Sequence, residues 1–336
     1  MTATRDFVLA IDVGGTKIAV ATADLDGRPL ERRVLPTEAE RGAPLALRRA
    51  LAEAAGLVSR REGRCLGAGV ASPGVIRPDR VDLVPTLPGW ERLALQDVLR
   101  EGLGLECVAV GNDVKAAAEA EARWGSLRGA DPALFVSLGT GLAAAVVAGG
   151  RVMTGAHGAA GEVGYSLRGV GDDAGVAEGR APLEEFAGGA GIGRRGSQLL
   201  GRTLSAAEVF ALAEKDARAR ELVEETLAEL AVHVANWAVL VDPGRIAVGG
   251  GLMRSADVVL GALGSRLGRA VPFPPELVAA RFVEDGALRG AIALVLDALE
   301  GNPSPLAGEE AAPAAGGGVA REGSELSELD DPSPGP

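Results

Sequence analysis

The sequence predicts an α/β protein of two lobes with a cleft between them. Strand-like and helix-like segments alternate along the chain, which is the pattern of α/β folds. The chain has 336 residues, more than one hydrophobic core usually organises. A scheme of apolar strand, glycine turn and apolar strand opens the chain and returns at residues 133–150. This repetition indicates a weak internal duplication and favours two related units.

The individual elements follow from hydrophobic periodicity and from the residues that bound each segment. Strands are predicted at residues 7–11, 18–25, 65–71, 106–112 and 245–253, besides the strand, turn and strand of 133–150. Helices are predicted at 44–60, 114–125, 183–200, 205–214, 216–241, 255–268 and 285–299. Asn112 and Asp113 therefore fall at a strand-to-helix junction.

The two predicted lobes are unequal, and a tail follows them. Residues 1–125, with the helix at 285–299, form a small N-terminal lobe, and residues 126–284 form a large C-terminal lobe. Residues 301–336 are rich in Pro, Gly, Ala, Ser and Glu, and they bury too little apolar surface to offset the entropy of ordering. We expect a disordered acidic tail there.

Composition and charge argue against several classes of protein. The net charge is −12 and no basic cluster is present, so nucleic acid is not an expected partner. No uninterrupted apolar stretch reaches the ~18 residues of a membrane span, and a membrane partner is not expected either. The N-terminal residues lack the pattern of a signal peptide, and the two cysteines, Cys65 and Cys107, provide no disulfide framework. A cytoplasmic protein is expected.

Three glycine turns follow strands and are candidate phosphate-binding loops. In IDVGGTK, residues 11–17, the glycines let backbone N–H groups approach phosphate oxygens, and the Asp12 carboxylate can hold Mg²⁺ through water. SLGTG, residues 137–141, could grip a polyphosphate from the opposite side, and AVGGGLM, residues 247–253, could approach a nucleoside. Each turn alone is equally typical of an ordinary hairpin or strand-to-helix loop.

Two acidic residues are candidates for handling a second substrate. Asp113 begins a helix after a buried strand, where Asp is also a preferred helix cap, so capping is the alternative to a catalytic base. The neighbouring glycine turns favour the base. Glu162 lies among small residues in GAHGAAGEVGY, residues 155–165, which favours a backbone-lined pocket where a carboxylate accepts hydrogen bonds from vicinal hydroxyls.

In their order and spacing these motifs resemble those of the ROK family (repressors, open reading frames and kinases) over residues 7–299. The resemblance implies the actin-like (ribonuclease H-like) two-lobed ATPase fold with duplicated α/β domains. It implies an ATP-dependent hexose kinase with ATP and Mg²⁺ as cofactors, and glucokinase is the leading candidate. Kinases for N-acetylmannosamine, N-acetylglucosamine or fructose are the alternatives among enzymes, and a non-catalytic sugar-sensing protein is the alternative outside them. A homodimer is also expected, because similar proteins are often dimers.

The resemblance also assigns roles to single residues. Asp113 becomes the catalytic base, and the ATP phosphates fall to Asp12 with its Mg²⁺ and to Gly14, Gly15, Thr16, Lys17, Gly139, Thr140, Gly141, Gly249, Gly250 and Gly251. The sugar-site matches are ASPGVI (71–76), LPGW (87–90), the Asn-Asp pair, GAAGEVG and LEEF. They make Gly74, Asn112, Asp113, Glu162, Tyr165 and Glu184 the sugar-binding residues.

The sequence departs from the family at two places. Many members bind a structural zinc through a His just after the A-G-E-[IV]-G signature and through a run of cysteines. Here Tyr165 takes the His position, and residues 166–184 contain no cysteine, so no zinc site is expected and a preference for glucose is less firmly implied. The second departure is Lys115, where the family often has Asn, and the sequence assigns that change no consequence.

Overall fold

The computed structural model of the chain describes residues 6–84 and 87–301. Apart from Gly301, the predicted acidic tail lies outside the described residues. No helix in the described part of the chain is long and apolar enough to cross a membrane. Two five-stranded sheets form the centres of two α/β units.

The first sheet places its parallel strands at one side and its antiparallel strands at the other, in the order β3-β2-β1-β4-β7. The strands of this part of the chain are β1 (Phe7–Val13), β2 (Lys17–Ala23), β3 (Pro29–Pro36), β4 (Cys65–Ser72), β5 (Val75–Ile76), β6 (Val81–Asp82) and β7 (Val108–Asn112). β1, β2 and β3 pair antiparallel, while β4 and β7 extend the sheet in parallel with β1. β5 and β6 form a separate small hairpin.

The second sheet repeats this topology in the order β10-β9-β8-β11-β12. Its strands are β8 (Ala133–Leu138), β9 (Leu142–Ala148), β10 (Arg151–Val152), β11 (Arg245–Gly249) and β12 (Glu276–Ala279). β8, β9 and β10 are antiparallel neighbours, and β11 and β12 add in parallel to β8. The duplication that the sequence indicates is therefore confirmed.

The helices cover the sheets and share the apolar cores. They are α1 (Ala43–Ser59), α2 (Leu95–Leu103), α3 (Asp113–Trp124), α4 (Pro182–Ala187), α5 (Gly189–Leu200), α6 (Ala206–Ala213), α7 (Ala217–Val241), α8 (Ala256–Ala270) and α9 (Gly286–Leu299). α1 and α2 pack on one face of the first sheet, and α4 to α8 pack on the second sheet. α3 contributes to two cores, because Ala116 packs with the first sheet and Ala117 and Ala118 pack with the second.

α9 returns from the second unit and packs closely on the first sheet and on α3. A Cβ atom at Gly290 of α9 would lie 1.9 Å from the Ala116 carbonyl oxygen of α3. A Cβ atom at Gly69 of β4 would lie 1.7 Å from the Ala291 carbonyl oxygen of α9. Glycine is therefore required at position 290, where α9 meets α3, and at position 69, where β4 meets α9. Through these two contacts α9 holds α3 against the first sheet.

The structure corrects the sequence-based elements in several places. The helix expected at 183–200 is broken at Gly188, because Gly189 and Ala190 donate their N–H groups to the carbonyl oxygens of Gly139 and Thr140. β3, β12 and α2 were not predicted. β3 is mostly exposed and polar, so it lacks the apolar run by which the other strands were recognised.

We expect Gly290→Ala to lower the free energy of unfolding, because the added methyl group must displace the backbone of α3. Overpacking of this kind costs about 1–3 kcal/mol. Gly268→Ala in α8 is the matched control, since a Cβ atom there would meet no atom within 4 Å. The control should gain roughly 0.5–1 kcal/mol, the usual difference between Ala and Gly within a helix. Denaturant melts of the two variants test the close packing, and equal stabilities would contradict it.

Candidate active site

Asp12, the predicted magnesium ligand, and Asp113, the predicted base, lie at the ends of two parallel strands of the first sheet, β1 and β7. Asp12 of β1 pairs with Ala71 of β4, and Ser72 of β4 pairs with Asn112 of β7. Only β4 separates the strands that lead to Asp12 and Asp113. Because adjacent strands lie about 4.8 Å apart, the ends of these two strands are close in space. Both residues lie at the carboxyl ends of parallel strands, the edge at which open α/β sheets usually bind ligands.

The N-cap residue of α3 is Asn112 rather than Asp113, although Asp113 Oδ1 also accepts a hydrogen bond from Val114 N–H at 2.8 Å. Asn112 Oδ1 accepts hydrogen bonds from the N–H groups of Val114 (3.1 Å) and Lys115 (3.0 Å). Its Nδ2 donates to the Gly74 carbonyl oxygen at 3.0 Å. Asn112 and Gly74 therefore fix the start of α3, and their contact with sugar stays a prediction.

Burial raises the pKa of both carboxylates, and repulsion from Asp113 raises that of Asp12 further. Burial and the charge of Asp113 raise the pKa of Asp12 to about 7, although the charges of Lys17 and Arg32 oppose the shift. Burial also raises the pKa of Asp113, against the hydrogen bond from Val114 N–H and the charge of Lys115. A divalent cation beside Asp12 would offset the cost of ionising it, so these residues fit Mg²⁺ bound through one carboxylate.

The first glycine turn is held by Thr37, which the sequence analysis missed. The buried Thr37 hydroxyl donates to the Gly14 carbonyl oxygen at 2.6 Å, and Thr37 N–H donates to the Thr16 carbonyl oxygen at 3.0 Å. Gly14 N–H donates to the Lys17 carbonyl oxygen at 2.9 Å and closes the turn. The side chains of Thr16 and Lys17 remain exposed, as phosphate binding requires. No local motif marks Thr37, because its role depends on where β3 ends.

The second and third glycine turns are neighbours, because β8 and β11 pair in parallel. A Cβ atom at Gly250 would lie 2.5 Å from the Leu138 carbonyl oxygen, so the third turn touches the end of β8. Cβ atoms at Gly139 and Gly251 would meet no atom within 4 Å. The backbone at Gly139 and Gly251 therefore faces open space that a ligand could fill.

Glu184 connects the second glycine turn with the predicted sugar site. Its Oε2 accepts a hydrogen bond from Leu142 N–H at 2.9 Å, and a Cβ atom at Gly141 would lie 2.3 Å from the same oxygen. A Cβ atom at Gly164 would lie 3.4 Å from it. The carboxylate thus packs between the second glycine turn and the 3-10 turn Val163–Tyr165, a contact that the sequence did not predict.

Glu162 and Tyr165 complete a cluster of acidic groups. Burial raises the pKa of Glu162, and attraction to Lys115 opposes the shift while repulsion from Asp113 and Glu184 adds to it. Burial, with the charges of Glu162 and Glu184, also raises the pKa of Tyr165. Four of the predicted sugar-binding residues therefore lie in one electrostatic cluster.

Lys115 also lies within this cluster, although no role was predicted for it. Its side chain is only 1% exposed, and its Nζ lies 3.7 Å from Glu162 Oε1. Burial lowers the pKa of Lys115, while the charges of Glu162 and Asp113 raise it. The signal in the sequence was a lysine in the first turn of an otherwise alanine-rich helix.

Charged pairs and ring stacking anchor the segment 166–181 that follows the cluster. Arg168 pairs with Glu229 of α7, and the guanidinium groups of Arg168 and Arg195 lie 3.5 Å and 3.8 Å from the centroid of the Phe186 ring.

Across the described part of the chain, no three His, Cys, Asp or Glu side chains are grouped so as to hold a metal by themselves. That the purified protein lacks zinc stays a prediction.

Comparison with known proteins supports the family resemblance that the sequence motifs indicate. The model of the ROK family matches residues 8–298. The chain is 33% identical over 293 residues to the N-acetylmannosamine kinase of Escherichia fergusonii, covering 85% of this chain and 97% of that relative. It is 30% identical over 279 residues to the glucokinase of Halalkalibacterium halodurans, covering 75% of this chain and 82% of that relative.

A solved structure confirms the two-lobed, actin-like fold. The ROK family glucokinase from Streptomyces griseus, in complex with glucose and AMPPNP, superposes with a TM-score of 0.71 at 25% sequence identity. The match covers 86% of this chain and 98% of that chain.

We expect Asp12→Asn to be more stable than the wild type at neutral to alkaline pH. The folded-state pKa of Asp12, about 7, lies above its ordinary value of 3.8, so the folded protein holds this proton more tightly. The resulting stability is present below the ordinary value and is lost as pH rises through about 7. Above that pH the free energy of unfolding of Asp12→Asn should exceed that of the wild type by on the order of 1 kcal/mol or more. The difference should vanish near pH 3.8, the ordinary pKa of Asp. Thermal melts without ligand at both pH values test this, and a lower melting temperature of the variant at high pH would contradict it.

We expect Thr37→Val to weaken nucleotide binding severalfold, because the Gly14 carbonyl oxygen loses its hydroxyl donor and the turn relaxes. A lost neutral hydrogen bond typically costs about 1 kcal/mol. Thr37→Ser keeps the hydroxyl and serves as the control. Calorimetric titration with a non-hydrolysable ATP analogue and Mg²⁺ gives the affinities, and equal affinities for the Val and Ser variants would remove Thr37 from the site.

Proposed function

The chain belongs to the ROK family, and we propose that it is an ATP-dependent kinase that phosphorylates a hexose hydroxyl. The observation that carries the proposal is a cluster of half-buried carboxylates, in which the charge of Asp113 acts both on Asp12 at the edge of the first sheet and on Glu162 of the second unit. Asp12 fits a cation, Asp113 fits a base, and Glu162 fits a hydroxyl-binding acceptor. These are the groups that phosphoryl transfer to a sugar requires.

We assign ATP to the three glycine turns. The exposed side chains of Thr16 and Lys17 and the open backbone at Gly139 and Gly251 support this assignment. The remaining nucleotide residues are Asp12, Gly14, Gly15, Thr140, Gly141, Gly249 and Gly250. A bound Mg²⁺, held through water by Asp12, would neutralise charge on the phosphate oxygens.

Asp113 is the proposed general base. The sugar hydroxyl oxygen attacks the γ-phosphorus, the bond from that phosphorus to the bridging oxygen breaks, and ADP leaves with the electron pair. The hydroxyl proton passes to the Asp113 carboxylate. Its raised pKa suits this step, because a carboxylate that binds its proton more tightly is a stronger base.

Glucose is the first candidate substrate, and N-acetylmannosamine is the second. Similarity to two glucokinases supports glucose. Similarity to an N-acetylmannosamine kinase supports the second candidate. Tyr165 in place of the usual His makes the preference for glucose less firm but does not itself select another sugar. The remaining proposed sugar residues are Gly74, Asn112, Glu162 and Glu184.

Movement of two lobes would enclose the sugar. We propose that residues 1–125 and 285–299 move together and that residues 126–284 form the other lobe. The packing of α9 on the first sheet supports this division. Closure would exclude water and thereby limit hydrolysis of ATP.

An assay of ADP release across a panel of hexoses, N-acetyl hexosamines and fructose tests the proposed function. We expect one sugar to stimulate release strongly in the presence of Mg²⁺. Sugar binding by calorimetry without ADP release from any member of the panel would instead support the non-catalytic sensor.

We expect Asp113→Asn to lower turnover by on the order of 10²-fold or more, because the amide cannot accept the hydroxyl proton. Folding and nucleotide binding should persist, since Asn112 rather than Asp113 caps α3. Asp216→Asn is the matched control, because Asp216 is the N-cap of α7 and Asn caps about as well. Near-normal turnover of a folded Asp113→Asn variant on its best sugar would refute the proposed mechanism.

A further inference from the structure

The stem of the Lys115 side chain is buried, while its ammonium group opens towards Glu162. The side chain is 1% exposed, and the distance of 3.7 Å from Nζ to Glu162 Oε1 is longer than a hydrogen bond. Nζ is not among the fully buried polar atoms that lack a partner in the described residues, so it reaches the open site. An ammonium has three N–H donors. A ligand in the site can therefore supply an acceptor for them.

The position of Lys115 places that ligand in the proposed sugar site. Lys115 lies in the first turn of α3, two residues after Asp113. Glu162 precedes the 3-10 turn Val163–Tyr165 of the second unit. The ion pair therefore spans the two units beside the candidate base. Asp113 and Glu184 are the other charges that act on Glu162, and Glu162 in turn acts on Tyr165.

A purely structural role accounts less well for this lysine. An ion pair with a purely structural role would be expected at direct hydrogen-bonding distance, as between Arg123 of α3 and Asp297 of α9 at 2.5 Å. Apart from Lys115 and Glu121 the buried residues of α3 are alanines, and a neutral residue at position 115 would avoid the cost of burying most of a charged side chain. The charge is therefore best explained by the chemistry of the cleft.

We propose that Lys115 is a specificity-determining residue of the sugar site, occupying the cationic position beside Glu162 and donating to an oxygen of the sugar. The inference rests on the proposed function. An ammonium only donates hydrogen bonds, so it selects a hydroxyl or carbonyl oxygen at one ring position. A sugar with a protonated amine at that position is rejected, because two cations would then compete for one carboxylate. The accepted class is therefore neutral hexoses and N-acyl hexosamines.

The experiment compares the best neutral sugar with its three amino derivatives, in which the hydroxyl at C2, C3 or C4 is replaced by an amine. Affinities are measured by calorimetry, which does not depend on turnover. In the wild type, one of the three should bind at least about tenfold more weakly than the parent, the usual scale for a lost charge-assisted hydrogen bond. In Lys115→Met, the parent should weaken about tenfold while this amino sugar gains, because its ammonium replaces the missing charge beside Glu162.

Arg123→Met is the matched control, since it removes a cation from the last turn of the same helix at a pair with Asp297. The control should keep the wild-type order of affinities. A Lys115→Met variant with the wild-type order for all three amino sugars would overturn the inference. If that variant does not fold, wild-type protein that binds all three as tightly as the parent overturns it.

The two failures are distinguishable. A wild type that releases no ADP with any sugar of the panel refutes the kinase. A wild type that phosphorylates the parent sugar, with selectivity unaffected by Lys115→Met, refutes only the role of Lys115.

Discussion

Close packing around α9 determines where the reactive groups lie. The carbonyl oxygens of Ala116 and Ala291 occupy the space that side chains at Gly290 and Gly69 would need, so α9 is held against both α3 and β4. α3 also packs through Ala117 and Ala118 on the second sheet. The helix that begins with Asp113 is thus fixed between two sheets. The packing of α9 against α3 and β4 therefore sets the position of the proposed base.

The site that this packing creates contains several carboxylates whose negative charges repel one another. Burial raises the pKa values of Asp12, Asp113 and Glu162, and repulsion from Asp113 adds to the shifts of Asp12 and Glu162. Two cations can offset the cost of ionising these groups. Lys115 is part of the chain, while the Mg²⁺ proposed beside Asp12 would arrive with the nucleotide. The protein alone does not compensate all the negative charge of this cleft, and a cation that arrives with the nucleotide would complete the site for binding sugar and nucleotide together.

The sequence predicted those parts of the fold that depend on local pattern. The apolar strands β1, β4 and β7, the glycine turns and the repeat of the first scheme were all found, because strand periodicity and glycine turns are local signals. β3 was missed because its polar, exposed residues carry no such signal. The break at Gly188 and the hydrogen bonds of Thr37 were missed for another reason: each is set by a partner distant in sequence. A pattern can identify residue types, but partners appear only in the fold.

Glu184 shows how the two proposed substrates could influence each other. One oxygen of this carboxylate accepts the N–H of Leu142 at the end of the second glycine turn, and the same group repels Glu162 in the acidic cluster. A hydroxyl that binds Glu162 would reduce the repulsion felt by Glu184, which also supports the loop proposed to hold phosphate. The coupling needs no long pathway, because a single side chain touches both sites. In this arrangement the carboxylate would contribute to the proposed nucleotide binding through the backbone that it orders, and to the proposed sugar binding through the charge that it carries.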